Sequence, residues 1–134
     1  MNELLAVFRA LADPTRLRIF NLLSRGPLCV CHFQEILGIS QVLVSQHLAS
    51  LRKTGMVESV QHAQWRIYRL KNHPDPNTRK LLRAIAEASG AEPLLASDIE
   101  QMEAALQDQR FAFCSQVKVP WKAKRSSTNK VAKK

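Results

Sequence analysis

Apolar residues recur at helical spacing on either side of a single glycine near the middle of the chain. Phe33, Ile36 and Leu37 fall at i, i+3 and i+4, Gly38 breaks the pattern, and Val44, Leu48 and Leu51 resume it at i, i+4 and i+7. The spacing predicts two short helices facing one core. Gly38 takes the turn that a residue with a Cβ makes only at a cost, and Ser40 is placed to cap the second helix. Upstream, Asp13-Pro14 is a helix start and Gly26-Pro27 a helix stop, with Leu17, Ile19, Phe20, Leu22 and Leu23 between them. Helices near 15–25, 31–38 and 41–54 would form a three-helix core. Before them, Leu4, Leu5, Phe8 and Leu11 form one stripe, predicting an amphipathic helix packed on another surface.

After Gly55 the period changes. Residues 56–60 and 65–70 have strand composition and are joined by Gln61-His62-Ala63-Gln64, which predicts a hairpin. Trp65 and Ile67 alternate with Arg66 and Tyr68, so one face of that hairpin is expected to be polar. Past the turn cluster His73 to Asn77, a helix opening at Pro76 or Asn77 carries Leu81, Leu82, Ile85 and Ala88 and stops at Gly90. A last helix is expected from Ser97, with Glu100 completing a capping box, to about Arg110, with Ile99, Met102 and Leu106 on its apolar stripe. The fold class is therefore mainly α with a small β-hairpin wing, a winged helix-turn-helix.

A chain of 134 residues with 46% hydrophobic content suits one globular domain, expected over 1–115, followed by a basic and disordered tail over 116–134. The formal charge of +9 is uneven. Six bases and no acid follow Trp121, so the remainder carries 14 bases against 11 acids, net +3. The tail would add those ~6 cations to nonspecific affinity for nucleic acid. The opening segment carries Glu3 and Arg9 within its apolar residues, and no run approaches the ~18 apolar residues of a spanning helix, so secretion and membrane anchoring are disfavoured. Three cysteines are an odd count, which argues for reduced thiols in a cytoplasmic protein rather than a disulfide framework.

Local charge and polarity point to DNA. The outside of the second helix of the pair presents Gln41, Ser45, Gln46, His47 and Lys53, all able to hydrogen-bond base edges or phosphates. Between Ser40 and Lys71 the bases Arg52, Lys53, Arg66, Arg69 and Lys71 face only one acid, Glu58. The candidate DNA-binding set is Ser40, Gln41, Ser45, Gln46, His47, Arg52 and Lys53 on the helix, with His62, Gln64 and Arg66 on the hairpin. Trp65 and Tyr68 are read as hairpin core. No Gly-rich phosphate loop and no paired acid/base carboxylates occur, and the adjacent Cys31 and His32 are poorly disposed as nucleophile and base, so an enzyme is not expected.

Over residues 3 to 90 the chain resembles the ArsR/SmtB-type metalloregulatory repressors, dimeric winged-helix proteins. The resemblance is carried by Ala12-Asp13-Pro14-Thr15-Arg16-Leu17-Arg18-Ile19 with Leu22-Leu23, by Leu28-Cys29-Val30-Cys31, by Ser40-Gln41 followed by Val44-Ser45, His47-Leu48 and Leu51-Arg52, and by Gly55-Met56-Val57 and Tyr68-Arg69-Leu70. It implies a homodimer with a helical interface built from the first and last helices, a recognition helix in the major groove of operator DNA, and release when an effector binds. Leu28 to Cys31 resembles the metal-binding box of the arsenic- and antimony-responsive branch. The sequence departs from that pattern at Pro27, at His32-Phe33, at Gln34 where arsenic sensors carry a third cysteine, at Val42 where Pro is common, and at Ala63 where a wing glycine is common. The zinc site of the SmtB-like branch draws histidine from the last dimer helix, and residues 77 to 90 contain none.

Residues i and i+2 do not face each other on a helix but do on extended backbone. An ion held by Cys29 and Cys31 would thus favour an unwound helix entry, and that biases the dimer away from its DNA-binding shape. Trivalent arsenic and antimony suit three thiolates, whereas zinc wants four ligands. Cys114 is the remaining thiol, from the same or the partner subunit, and the alternative for it is a small core residue beside Phe111 and Phe113. The candidate metal ligands are therefore Cys29, Cys31 and Cys114, with As(III) or Sb(III) as inducer and no cofactor required. His32 is set aside, since imidazole suits zinc and exposed histidines are common. The alternative function is a winged-helix repressor sensing thiol redox state or reactive sulfur, with Cys29 or Cys31 pairing to Cys114.

Overall fold

A computed structural model of the chain describes residues 2–108. Its elements in order are α1 (Asn2–Leu11), α2 (Pro14–Leu23), β1 (Leu28–Cys29), α3 (Val30–Leu37), α4 (Gln41–Lys53), β2 (Val57–His62), β3 (Trp65–Leu70), α5 (Pro76–Ser89) and α6 (Pro93–Gln107). The expected tail, Phe111 to Cys114 and the boundary at 115 lie outside the described residues. No described helix is long and apolar enough to cross a membrane.

The local signals act as their chemistry dictates. Asp13 caps α2 by accepting the Arg16 N–H at 3.0 Å, with Pro14 at the first helical position. The Asp75 carboxylate does the same for α5 through Thr78 N–H at 2.9 Å. Gly38 ends α3 in left-handed backbone, φ 69°, and Ser40 Oγ accepts the Leu43 N–H at 3.2 Å to open α4. Val7, Ile19, Leu22, Phe33, Val44, Leu48 and Leu51 meet in one core from which water is excluded.

Three expectations are corrected. First, the wing has three strands, because the short β1 adds to the free edge of β3 in the order β1-β3-β2, all antiparallel. Second, the wing has no purely polar face. Tyr68 and Ile67 are both buried, Tyr68 in the main core and Ile67 on the other side of the sheet with Cys29. Third, α6 begins at Pro93 rather than Ser97, so Ser97 and Glu100 lie inside the helix and form no capping box at its start. Within the single chain α1 buries Val7 and Ala10, while Leu4, Leu5 and Phe8 of its stripe stand 41%, 37% and 49% exposed.

α6 folds back over α2 and α3 and contributes Met102 and Ala105 to the core. It is pinned there by polar contacts. Arg18 Nε and Nη2 each donate to an Asp98 carboxylate oxygen at 2.9 Å, and the buried Asn21 Nδ2 donates to Leu95 O at 3.0 Å.

Candidate metal centre and nucleic-acid interface

Cys29 is the last residue of β1 and the N-cap of α3, with extended backbone at φ −94° and ψ 169°. Cys31 is the second residue of the helix. The strand-to-helix boundary falls between them, so their side chains converge although their Cα atoms are 5.5 Å apart, and the two Sγ atoms stand in disulfide contact. This corrects one expectation. Convergence of the pair was expected to require an unwound helix; Cys29 lies outside the helix, so nothing needs to unwind.

His32, set aside in the sequence as an exposed histidine, is buried beside the cysteines. It is 2% exposed, and its Nδ1 lies 3.4 Å from Cys29 Sγ while accepting the Cys29 N–H at 3.3 Å. An accepting Nδ1 assigns the ring proton to Nε2. Burial pushes the His32 pKa below its ordinary value, which keeps the ring neutral with a lone pair facing the sulfurs. Among the described residues, Cys29, Cys31 and His32 bring their ligand atoms within 4.8 Å of one another. Cys114 lies outside the described residues. The cluster is walled by apolar groups of the wing: Cys29 packs with Ile67, and Cys31, Val60 and Trp65 close around them.

The second candidate surface is the outside of α4 with the wing beside it. Ser40, Gln41, Ser45, Gln46, Arg52 and Lys53 are exposed along α4, and Gln64 and Arg66 are exposed on the wing. Arg66 Nη1 donates to Ser59 Oγ at 2.9 Å across the strands, which holds the guanidinium along the sheet. His47 departs from the expected placement. It is half-buried, with Nδ1 4.0 Å from Asp13 Oδ2, so it leans toward the start of α2. His62 is half-buried as well, and Arg69 is taken by Glu58 at 2.6 Å.

Two apolar residues of α4 were missed. Val42 is 64% exposed and Leu43 45% exposed in the first turn of α4. Their positions off the stripe of Val44, Leu48 and Leu51 were the available signal. A groove of about 500 Å³ between α4 and the wing is lined by Arg52 and Lys53 of α4, by Glu58 and Ser59 of β2 and by Lys71 just after β3.

Comparison with known proteins places these features. Residues 13–59 match the model of the bacterial regulatory protein, arsR family. The chain is 44% identical over 79 residues to the arsenic resistance transcriptional regulator ArsR1 of Pseudomonas putida, covering 56% of this chain and 60% of that protein. It is 38% identical over 84 residues to ArsR2 of the same organism, covering 62% of this chain and 73% of that protein. The chain thus spans about three fifths of one of these relatives and about three quarters of the other. Among solved structures, reduced HlyU from Vibrio cholerae superposes with a TM-score of 0.57 at 28% identity, covering 65% of this chain and 88% of that one. Both ArsR proteins are transcriptional regulators, not enzymes. The mainly helical fold with its small antiparallel sheet is that of the winged helix-turn-helix, as in the homodimeric winged helix-turn-helix domain of Mb0332 from Mycobacterium bovis. That domain superposes with a TM-score of 0.55 at 24% identity, covering 66% of this chain and 79% of that one.

Proposed function

The chain belongs to the ArsR family of bacterial regulatory proteins, and from that premise we propose that it is a cytoplasmic, homodimeric transcriptional repressor that leaves its operator DNA when trivalent arsenic, or antimony, is bound by cysteine thiolates. The observation that carries this reading is the convergence of Cys29 and Cys31 at the head of α3, the helix that packs against α4. Trihydroxyarsenic would take three thiols, each thiol proton leaving with a hydroxyl as water, so two thiols are a partial site and Cys114 is the candidate for the third. The exposed apolar residues Leu4, Leu5 and Phe8 of α1 suit a partner subunit, since a contiguous apolar patch facing water favours burial against another surface.

In this reading α4 enters the major groove of double-stranded DNA. Gln41, Ser45 and Gln46 reach base edges, Val42 and Leu43 meet thymine methyls, and Arg52, Lys53, Gln64 and Arg66 hold phosphates. Ser40 acts through the cap it places on α4. His47 and His62 reach DNA only from the edge of this surface.

The test is fluorescence anisotropy of reduced protein on DNA from upstream of its own gene, titrated with As(III), Sb(III), Zn(II) and peroxide, for the native chain and for Cys29→Ser and Cys114→Ser. Release by As(III) or Sb(III), abolished in both variants, is the expected result. No release by either metalloid removes the proposal. A second reading, a thiol-redox repressor, is favoured by the disulfide contact of Cys29 with Cys31, and it predicts release by peroxide that a reductant reverses.

A further inference from the structure

We propose that the cavity between α2, the base of the wing and α5 binds a small aromatic monocarboxylate, and that the bound acid competes with DNA for Lys71. The first half stands on the cavity alone. The second rests on the reading of the groove between α4 and the wing as a DNA surface.

The cavity holds about 340 Å³, within the range of sites that enclose small organic ligands. Its floor is apolar. Phe20 of α2 and Met56 just before β2 are each 1% exposed, and Leu70, Leu82 and Ala86 complete the wall. Water against such a floor finds few hydrogen-bond partners, so an aromatic ring displaces it favourably. The rim is cationic. Lys71 follows β3, and Arg79 and Arg83 stand one turn apart on α5, while no carboxylate lines the cavity. Like charges at i and i+4 of a helix repel, and an anion set between them and Lys71 turns that repulsion into attraction. Inorganic phosphate would satisfy the rim alone; an aromatic acid satisfies rim and floor together.

Arg79 is oriented before any ligand arrives. Its Nη1 donates to His73 O and Pro74 O at 2.5 and 3.1 Å, which fixes the plane of the guanidinium. Both acceptors are neutral carbonyls, so they leave its charge in place. The Nε–Nη2 edge keeps the paired donors that match the two oxygens of a carboxylate.

Lys71 ties this cavity to the surface of α4. Its N–H donates to Met56 O at 2.8 Å, which anchors the main chain, and the residue lines both this cavity and the groove of Arg52 and Lys53. Glu58, the one acid lining that groove, is taken by Arg69 at 2.6 Å. One ammonium cannot serve a carboxylate in the cavity and a phosphate in the groove at full strength, so acid and DNA each weaken the other by the same factor.

The test titrates the full chain, reduced, with para-fluorophenylacetate followed by fluorine NMR. The expected result is one saturable site per chain, from which phenylacetate displaces the probe and acetate or inorganic phosphate at the same concentration does not. The neutral para-fluorophenylacetamide should bind at least ~10-fold more weakly than the acid, and Arg83→Gln should weaken the acid by a similar factor. Ala86→Phe, which fills the floor, should abolish binding in a chain whose circular dichroism stays native. Equal binding of acid and amide, displacement by acetate or phosphate as effective as by phenylacetate, or no saturable binding by the native chain would each overturn the site. Affinity for DNA from upstream of the gene is then measured by anisotropy at saturating probe, against the same concentration of acetate. A loss of at least ~5-fold is expected in the native chain and none in Lys71→Gln. Unchanged DNA affinity in the native chain, or the same loss in Lys71→Gln, would overturn the competition. The NMR titration contains neither DNA nor metalloid, so a chain that fails to bind DNA or to release it with As(III) removes the proposed function while the site is still decided by the probe.

Discussion

Removing either partner of the Arg18–Asp98 ion pair should destabilise the protein unequally. Asp98 projects from α6 into the contact with α2, and its side chain is 1% exposed, whereas that of Arg18 is 24% exposed. The two hydrogen bonds between them, both 2.9 Å, are charge-assisted and bidentate, and they hold the Arg18 pKa above its ordinary value. Arg18→Ala strands a carboxylate that water cannot reach, and an uncompensated buried charge costs about 3–5 kcal/mol. Asp98→Ala strands a guanidinium that already touches solvent and can swing outward on its aliphatic stem, so the loss is that of hydrogen bonds to a charged group, about 1.5–3 kcal/mol. The double variant should be no worse than Arg18→Ala alone, because deleting Asp98 removes the stranded charge. A domain of this size is stable by about 5–15 kcal/mol, so Arg18→Ala removes a larger share of that stability than Asp98→Ala does. Urea unfolding at neutral pH, followed by circular dichroism, measures all three variants. If Asp98→Ala costs as much as Arg18→Ala, or if the double variant equals the sum of the singles, burial of the carboxylate is not what sets the cost.

Three further outcomes follow from single residues. Ser40→Ala removes the cap of α4 and should cost about 1 kcal/mol in urea unfolding, whereas Ser40→Asp should keep that stability yet bind operator DNA more weakly, because it sets a negative charge against phosphate; equal DNA affinity in Ser40→Asp would take residue 40 off the DNA face. Ala63 sits at φ 55° in the two-residue turn between β2 and β3, where a side chain is strained, so Ala63→Gly should raise stability by up to about 1 kcal/mol after the added freedom of the unfolded chain is counted; a lower melting temperature would contradict this. His32 has a folded-state pKa below its ordinary 6.5, so as pH falls through 6.5 the unfolded chain takes up a proton that the folded chain refuses. Stability should therefore drop with falling pH until the folded-state value is passed, and His32→Asn should flatten that part of the urea-stability profile between pH 7.5 and 5.5; an unchanged slope would assign it to other groups.

The helix-turn-helix was legible because spacing, caps and the turn glycine agree: Val44, Leu48 and Leu51 all lie fully buried where the period put them. β1 was not legible, since two residues cannot display alternation and the strand exists only because β3 offers a free edge to Leu28 and Cys29. His32 was half legible. It lies four residues before Ile36, on the buried face of α3, yet its residue type outweighed its position in the reading. The start of α6 was misplaced because Ser97 with Glu100 imitates a capping box, although Pro93 marks the first helical position more strongly. In α1 apolar residues occur nearly all round, so periodicity could not say which side a single chain would bury. The candidate metal centre was legible as a cysteine pair. Its third member and its walls needed the fold, because the wing residues Val60, Trp65 and Ile67 are brought to it only by sheet pairing.

That sheet decides what a change at the cysteines can move. Neighbouring residues of a strand point to opposite faces, so Leu28, opposite Tyr68, joins the helical core, while Cys29, opposite Ile67, joins the cluster on the far side. One residue separates the packing of the helix-turn-helix from that of the thiols. Cys29 belongs to β1, the short edge strand of the wing, and Cys31 belongs to the helix whose Phe33 packs in the same core as Val44 and Leu48 of α4. The two sulfurs therefore straddle the junction of wing and helix pair. Under the proposed function, an ion bridging those sulfurs would act at the junction of β1 and α3, with the helical core on the Leu28 side and the smaller cluster of Ile67, Val60 and Trp65 on the other.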